Sequence, residues 1–238
     1  MNSQKYTAFI FARGGSKGLP GKNLRKLNGK SLLQRSIETC QSTEKITRVI
    51  VSTDSAEIAE AAKSFGAEVP FLRPLELGSD ESPEIDSWKH ALRTIEALEG
   101  AMPETLVSVP TTAPLRQTED ILNCLALYEE VQPDLVITSA PSPLNPYFNL
   151  FQHLESGEVN VPMLKSESAF RRQNVPRVNF ITPICYVAKS SYVLNCQNLF
   201  EGTVRESSVD PGRAVDIDTL VDFEFAEFML SKREERRD

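Results

Sequence analysis

The chain has 238 residues, of which 40% are hydrophobic and 25% charged, and carries a formal net charge of -7. That length suits one large globular domain, or one domain with an inserted arm, and is ample for a buried core. The acidic balance argues against a nucleic-acid-binding surface while leaving room for a local basic pocket.

The first predicted element is a short buried strand over 9–12. A loop follows, Ala12-Arg13-Gly14-Gly15-Ser16-Lys17-Gly18-Leu19-Pro20-Gly21-Lys22-Asn23. Its glycines let backbone N–H groups approach a ligand closely, and Arg13, Lys17 and Lys22 add positive charge to the same concavity. A strand leading into such a loop is a cradle for nucleotide phosphates. It is neither of the two common phosphate loops: Gly21-Lys22 is followed by Asn23, and no G-x-G-x-x-G is present.

Helical periodicity covers 31–40, where Leu32, Leu33, Ser36 and Ile37 share a face, then 56–65, 84–98 and 119–129. Buried strands are read at 49–52, 106–109 and 135–138. Asp54 and Ser55 are candidate caps of the second helix, and Gly66 its terminator. Strands alternating with such helices predict an α/β fold: a Rossmann-like, three-layer, mainly parallel sheet with ligands beyond the carboxyl ends of its strands. After residue 140 the pattern breaks at Pro141, Pro143 and Pro146. A hairpin is expected between 148–154 and 158–163, turning at Gly157, then a return to the sheet at 184–188 and a last helix over 220–230 with Phe223, Ala226 and Leu230 on one side. The organisation expected is a single domain over 1–238, with 141–180 as a small antiparallel arm.

Near the C-terminus, Val215-Asp216-Ile217-Asp218 reads as a strand with both aspartates on one face and Ile217 in the core. Two neighbouring carboxylates call for a cation, and Mg²⁺ takes carboxylate and phosphate oxygens. The alternative is a polar strand end, with Asp218 capping the last helix. Arg13 and Lys22 are candidates for the triphosphate. Asn23 can bond the ribose or a phosphate, or cap a turn. Arg73 either faces the ligand or pairs with Glu76 or Asp80. Cys40, Cys124, Cys185 and Cys196 form no C-x-x-C pair, so buried thiols of a cytoplasmic protein are expected rather than zinc. No segment has the length of a membrane span, and the polar N-terminus lacks the core of a signal peptide.

The order of motifs resembles the acylneuraminate cytidylyltransferase (CMP-sialic acid synthetase) family. The resemblance runs through 13–23, Val51-Ser52-Thr53-Asp54, Leu72-Arg73-Pro74, Ser79-Asp80, Pro114-Leu115-Arg116, Arg171-Arg172-Gln173 and Val215-Asp216-Ile217-Asp218-Thr219. It implies transfer of CMP from CTP to a 2-keto-3-deoxy sugar acid, with Mg²⁺ on Asp216 and Asp218. Arg13, Lys22 and Asp216 are then the catalytic set. Arg13, Gly14, Gly15, Ser16, Lys17, Lys22, Asn23 and Arg73 would hold CTP, with Arg73 toward the cytosine. Arg172 and Gln173 would face an acidic nine-carbon sugar, and the arm would reach a second subunit in a homodimer. No nucleic-acid or membrane partner is expected.

Two departures bear on the sugar. Where the family has Gln-Pro-Thr-Ser-Pro-Leu-Arg, this chain has Val109-Pro110-Thr111-Thr112-Ala113-Pro114-Leu115-Arg116, and the family's late Asn-Gly is Thr182-Pro183. The nucleotide motifs are kept while the sugar-side wall changes, which implies an altered or relaxed sugar preference. An enzyme for another acidic sugar such as 3-deoxy-manno-octulosonate is the alternative, disfavoured by Lys17-Gly18 where those enzymes commonly carry arginine. A non-catalytic nucleotide-binding protein is the other.

Overall fold

The computed structural model describes residues 5–79, 82–147, 149–161, 163 and 175–235. Its centre is a six-stranded sheet of β1 (Tyr6–Phe11), β4 (Ile46–Ser52), β5 (Thr105–Ser108), β6 (Leu135–Pro141), β9 (Asn179–Lys189) and β10 (Val204–Ser208), in the order β10-β6-β9-β5-β1-β4. The pairs β1–β4, β1–β5 and β10–β6 are parallel. Only β9 runs against its neighbours β5 and β6. The sheet is the mainly parallel one expected, with the return at 184–188 supplying its antiparallel member.

Apolar side chains bury both faces. Helices α1 (Leu32–Gln41), α2 (Ala56–Ser64) and α4 (Thr118–Val131) cover one face through Leu33, Ile37, Ile58, Ala62, Ile121 and Leu125. Helix α3 (Glu84–Glu99), with Trp88, Leu92 and Ile95, covers the other beside the short α5 (Ser190–Asn195). Near-continuous apolar strands such as β4 and β6 follow from this double coverage. Ser55 caps α2, accepting from Ile58 N. Asp54 does not; it is diverted to Gly14 N and Arg73.

A smaller cluster lies at the carboxyl edge of the sheet. Leu27 of the hairpin β2 (Lys26–Leu27)–β3 (Lys30–Ser31), Leu19 and Leu32 pack with Ile217, Phe223 and Ala226. The last three come from helix α6 (Leu220–Glu234) and the segment before it. Burying each such aliphatic side chain contributes about 1.5–3 kcal/mol, so this cluster fixes the C-terminal segment against the glycine-rich loop.

Two expectations are corrected. Residues 215–218 are not a strand: 215–217 have no regular secondary structure and Asp218 lies in a bend. They run beside the 110–113 loop, with Ile217 N donating to Thr112 O, and give way at once to Thr219, the N-cap of α6. Asp218 is therefore not the cap, although Ile217 is buried as expected and both aspartates are exposed on either side of it. The hairpin about Gly157 is present as β7 (Gln152–His153) and β8 (Val159–Asn160), antiparallel but only two residues per strand. Its start is shortened because Asn145 organises a turn: its Oδ1 accepts from Tyr147 N and its backbone O accepts from Asn149 and Leu150 N.

Candidate active site

Three segments that leave the sheet at its carboxyl end meet around a cleft of about 300 Å³. They are the loop after β1, the Thr53-Asp54 turn after β4 and the 110–113 loop after β5. Arg13, Lys22, Asn23, Arg73, Glu84, Thr111 and Thr112 line it. A larger concavity lies elsewhere, between 141–145 and 176–179, but it lacks this convergence of charge.

Lys22 binds the two halves of the site together. Its Nζ donates to Ile217 O at 2.7 Å and stands 3.0 Å from Asp218 Oδ1. The approach is close enough that a Cβ on Gly18 would lie 2.4 Å from Asp218 O, so the loop can seat here only with glycine at that position. The exposed Lys22–Asp218 pair contributes little stability; its effect is to place an ammonium between the glycine-rich loop and the acidic segment. Burial pushes the Asp216 carboxyl up from its ordinary value, against a hydrogen bond from Thr112, and neighbouring Asp218 adds to the rise. Asp216 and Asp218 are like charges on one short segment, which Lys22 offsets only in part.

On the opposite wall Arg73 is buried, with 6% of its surface exposed. Nη1 donates to Ser87 Oγ at 3.0 Å, Nη2 lies 3.5 Å from Asp54 Oδ1, and the backbone N donates to Thr53 O. Its partner is thus Asp54, not Glu76. Asp54 also accepts from Gly14 N at 2.9 Å, which ties the glycine-rich loop to Arg73. Burial lowers the guanidinium from its usual range and Asp54 opposes that. Asn23 is buried: it donates to Arg13 O at 2.9 Å and accepts from Thr111 Oγ1 at 2.6 Å. It braces two loops. Gly14, Gly15 and Lys17 are exposed and Ser16 half-buried on the same loop. Arg172, Gln173 and Asp80 lie outside the described residues.

The model of the cytidylyltransferase family matches residues 7–182. The chain belongs to the cytidylyltransferase family. The post-translational flagellin modification protein B of Campylobacter coli is 33% identical over 224 residues, 94% of each chain. The CMP-N,N'-diacetyllegionaminic acid synthase of Campylobacter jejuni subsp. jejuni is 34% identical, with 93% of each chain covered. A solved CMP:2-keto-3-deoxy-manno-octonic acid synthetase complexed with CTP superposes with a TM-score of 0.72 over 97% of this chain and 100% of the other, at 15% identity. That last likeness speaks for the fold.

Sequence reasoning named Arg13, Lys22 and Arg73, which line the cleft of this cytidylyltransferase, and Asp216 and Asp218, which lie on the segment that Lys22 contacts. It passed over Thr112, which holds Asp216 from the facing loop, and Glu84, which opens α3 on the cleft wall. Glu84 reads in sequence only as a good first-turn helix residue. The available signal was positional, since an acidic residue there faces the carboxyl edge of the sheet.

Proposed function

We propose that this chain joins CTP to a 2-keto-3-deoxy sugar acid of the sialic-acid-like nonulosonate class, giving a CMP-sugar and pyrophosphate. The observation that carries this reading is the meeting of the cationic glycine-rich loop with the acidic segment through Lys22, at the edge of a nucleotide-sized cleft. The similarity to a CMP-N,N'-diacetyllegionaminic acid synthase supports a nonulosonate acceptor.

The anomeric hydroxyl of the sugar attacks the α-phosphorus of CTP. A P–O bond forms, the α–β phosphoanhydride breaks, pyrophosphate leaves with the bonding pair, and the hydroxyl's proton passes to water. Arg13 and Lys22 hold the triphosphate and offset the charge that grows on it; preorganised charge of this kind is the main source of rate in phosphoryl chemistry. The donors of Asp216 and Asp218 suit Mg²⁺, being carboxylate oxygens whose mutual repulsion a hard dication relieves. Asp216 and Asp218 would hold Mg²⁺, which would supply Lewis-acid polarisation of the α-phosphate and acidify the attacking hydroxyl. Arg172 and Gln173 are assigned to the sugar, a guanidinium matching its carboxylate. The resemblance puts polar sugar-side residues of the sialic-acid enzymes at the positions held here by Val109 and Thr182, both buried, and that change favours a nonulosonate other than sialic acid. A homodimer through the arm and a cytoplasmic location complete the reading.

The test is pyrophosphate release from CTP and Mg²⁺ with legionaminic, pseudaminic and sialic acids and 3-deoxy-manno-octulosonate as acceptors. The reading expects turnover with a nonulosonate at higher kcat/KM than with the octulosonate. Absence of release with every acceptor overturns it.

A further inference from the structure

We propose that Glu84 selects cytosine, accepting a hydrogen bond from the exocyclic amine of the base beside the Arg73 guanidinium. The inference rests on the CTP reading above and names a residue of that site which chooses between nucleotides.

Glu84 and Arg73 line the same cleft and feel each other electrostatically, as do Glu84 and Asp216. Glu84 is held at the cleft wall by the helix it opens, because Ile85 and Trp88 anchor the first turn of α3 in the core. Arg73 is fixed by Ser87 and Asp54. Phe11 lines the same cleft and stands 6.2 Å from Trp88 between ring centroids, and Trp88 stands 5.6 Å from Tyr186. A flat apolar side chain that lines the same cleft as a fixed donor and an acceptor suits a nucleobase.

The acid has no place on phosphate, which it repels. Nor is it a third metal ligand: among the described residues no group of three acidic, histidine or cysteine side chains is arranged to hold an ion. Cytosine answers both wall residues. Its N4 amine is the donor that a carboxylate accepts from, and its N3 and O2 accept from a guanidinium. Uracil turns a carbonyl oxygen toward Glu84 instead, and lone pairs then oppose lone pairs.

The experiment titrates CTP and UTP, each with Mg²⁺ and without acceptor, into wild-type protein, E84Q and E84A, with folding checked by circular dichroism. Wild type should bind CTP at least tenfold tighter than UTP. In E84Q, whose amide can meet either base, the ratio should fall about tenfold or more, and E84A should lose preference by weakening CTP. A CTP preference unchanged in both variants overturns the role of Glu84. So does an equal weakening of CTP and UTP, which would put Glu84 on the ribose. Wild type that binds neither nucleotide defeats the CTP reading itself, and this assignment with it.

Discussion

Lys22 reaches partners 195 and 196 positions away in the chain, Ile217 O and Asp218 Oδ1. A side chain placed so gains little stability and much position. Replacing it with methionine keeps the stem that packs beside the loop and removes the charge. Lys22→Met should therefore lower kcat by about a hundredfold or more while the melting temperature stays nearly constant; a steady-state assay beside a thermal melt checks both. Residue identities at this site were legible where charge and glycine coincide in a short stretch, as at 13–22. Asn23 was legible as important but not as a brace, because its two partners, Arg13 O and Thr111, come together only in the fold. Asp54 looks like a helix cap in one dimension and serves Gly14 and Arg73 in three.

Strand β9 is the element that departs most from its sequence. It runs eleven residues, although Thr182-Pro183 interrupts it. The ladder with β6 shifts register between Ile137 and Thr138, where Thr138 Oγ1 donates to Thr182 O and Cys185 O and accepts from Cys185 N. Proline is tolerated in a sheet at such a bulge. Arg116 holds the bulge from beneath: it is buried and donates to Ile184 O, Pro183 O and Pro110 O. Arg116→Met leaves those carbonyls unpaired and should destabilise the fold by about 3–5 kcal/mol, measured by urea denaturation. At the far end of the sheet Asp134 accepts from Thr203 N and Oγ1 and pairs with Lys189. Those bonds hold its carboxyl down at about 2, below its ordinary 3.8. Screened by solvent, its contribution is about 1 kcal/mol; it is present above pH 4 and is lost as pH falls from 4 toward 2. Asp134→Asn should remove most of it at neutral pH and flatten the acid limb of stability against pH. The periodic helices were readable throughout, whereas β10 was not: Val204-Arg205-Glu206-Ser207-Ser208 is a polar edge strand whose one clear signal is pairing with β6.

At the scale of the molecule, the alternation of strands and helices announced the three-layer fold, and the positions of strand carboxyl ends announced where the cleft lies. What the alternation could not supply was the return of the last helix: the Leu19, Leu27, Leu32, Ile217 and Phe223 cluster that brings Asp216 and Asp218 to the first loop is assembled from residues far apart in the chain. In and beside the arm, Phe151, Val159, Phe180 and Ile181 are exposed, apolar side chains that a second chain could cover. With the dimer proposed above, sedimentation velocity should give a two-chain mass for wild type and a one-chain mass for the Phe180→Asp, Ile181→Asp double variant.

All of this turns on the loop and the acidic segment gripping one magnesium–nucleotide complex. The direct measurement is the dissociation constant of CTP, with and without Mg²⁺, for wild type and for the Asp216→Ala, Asp218→Ala double variant. Wild type should bind CTP at least tenfold tighter when Mg²⁺ is present, and the variant should show no such gain. Equal tightening by Mg²⁺ in both proteins would contradict the account.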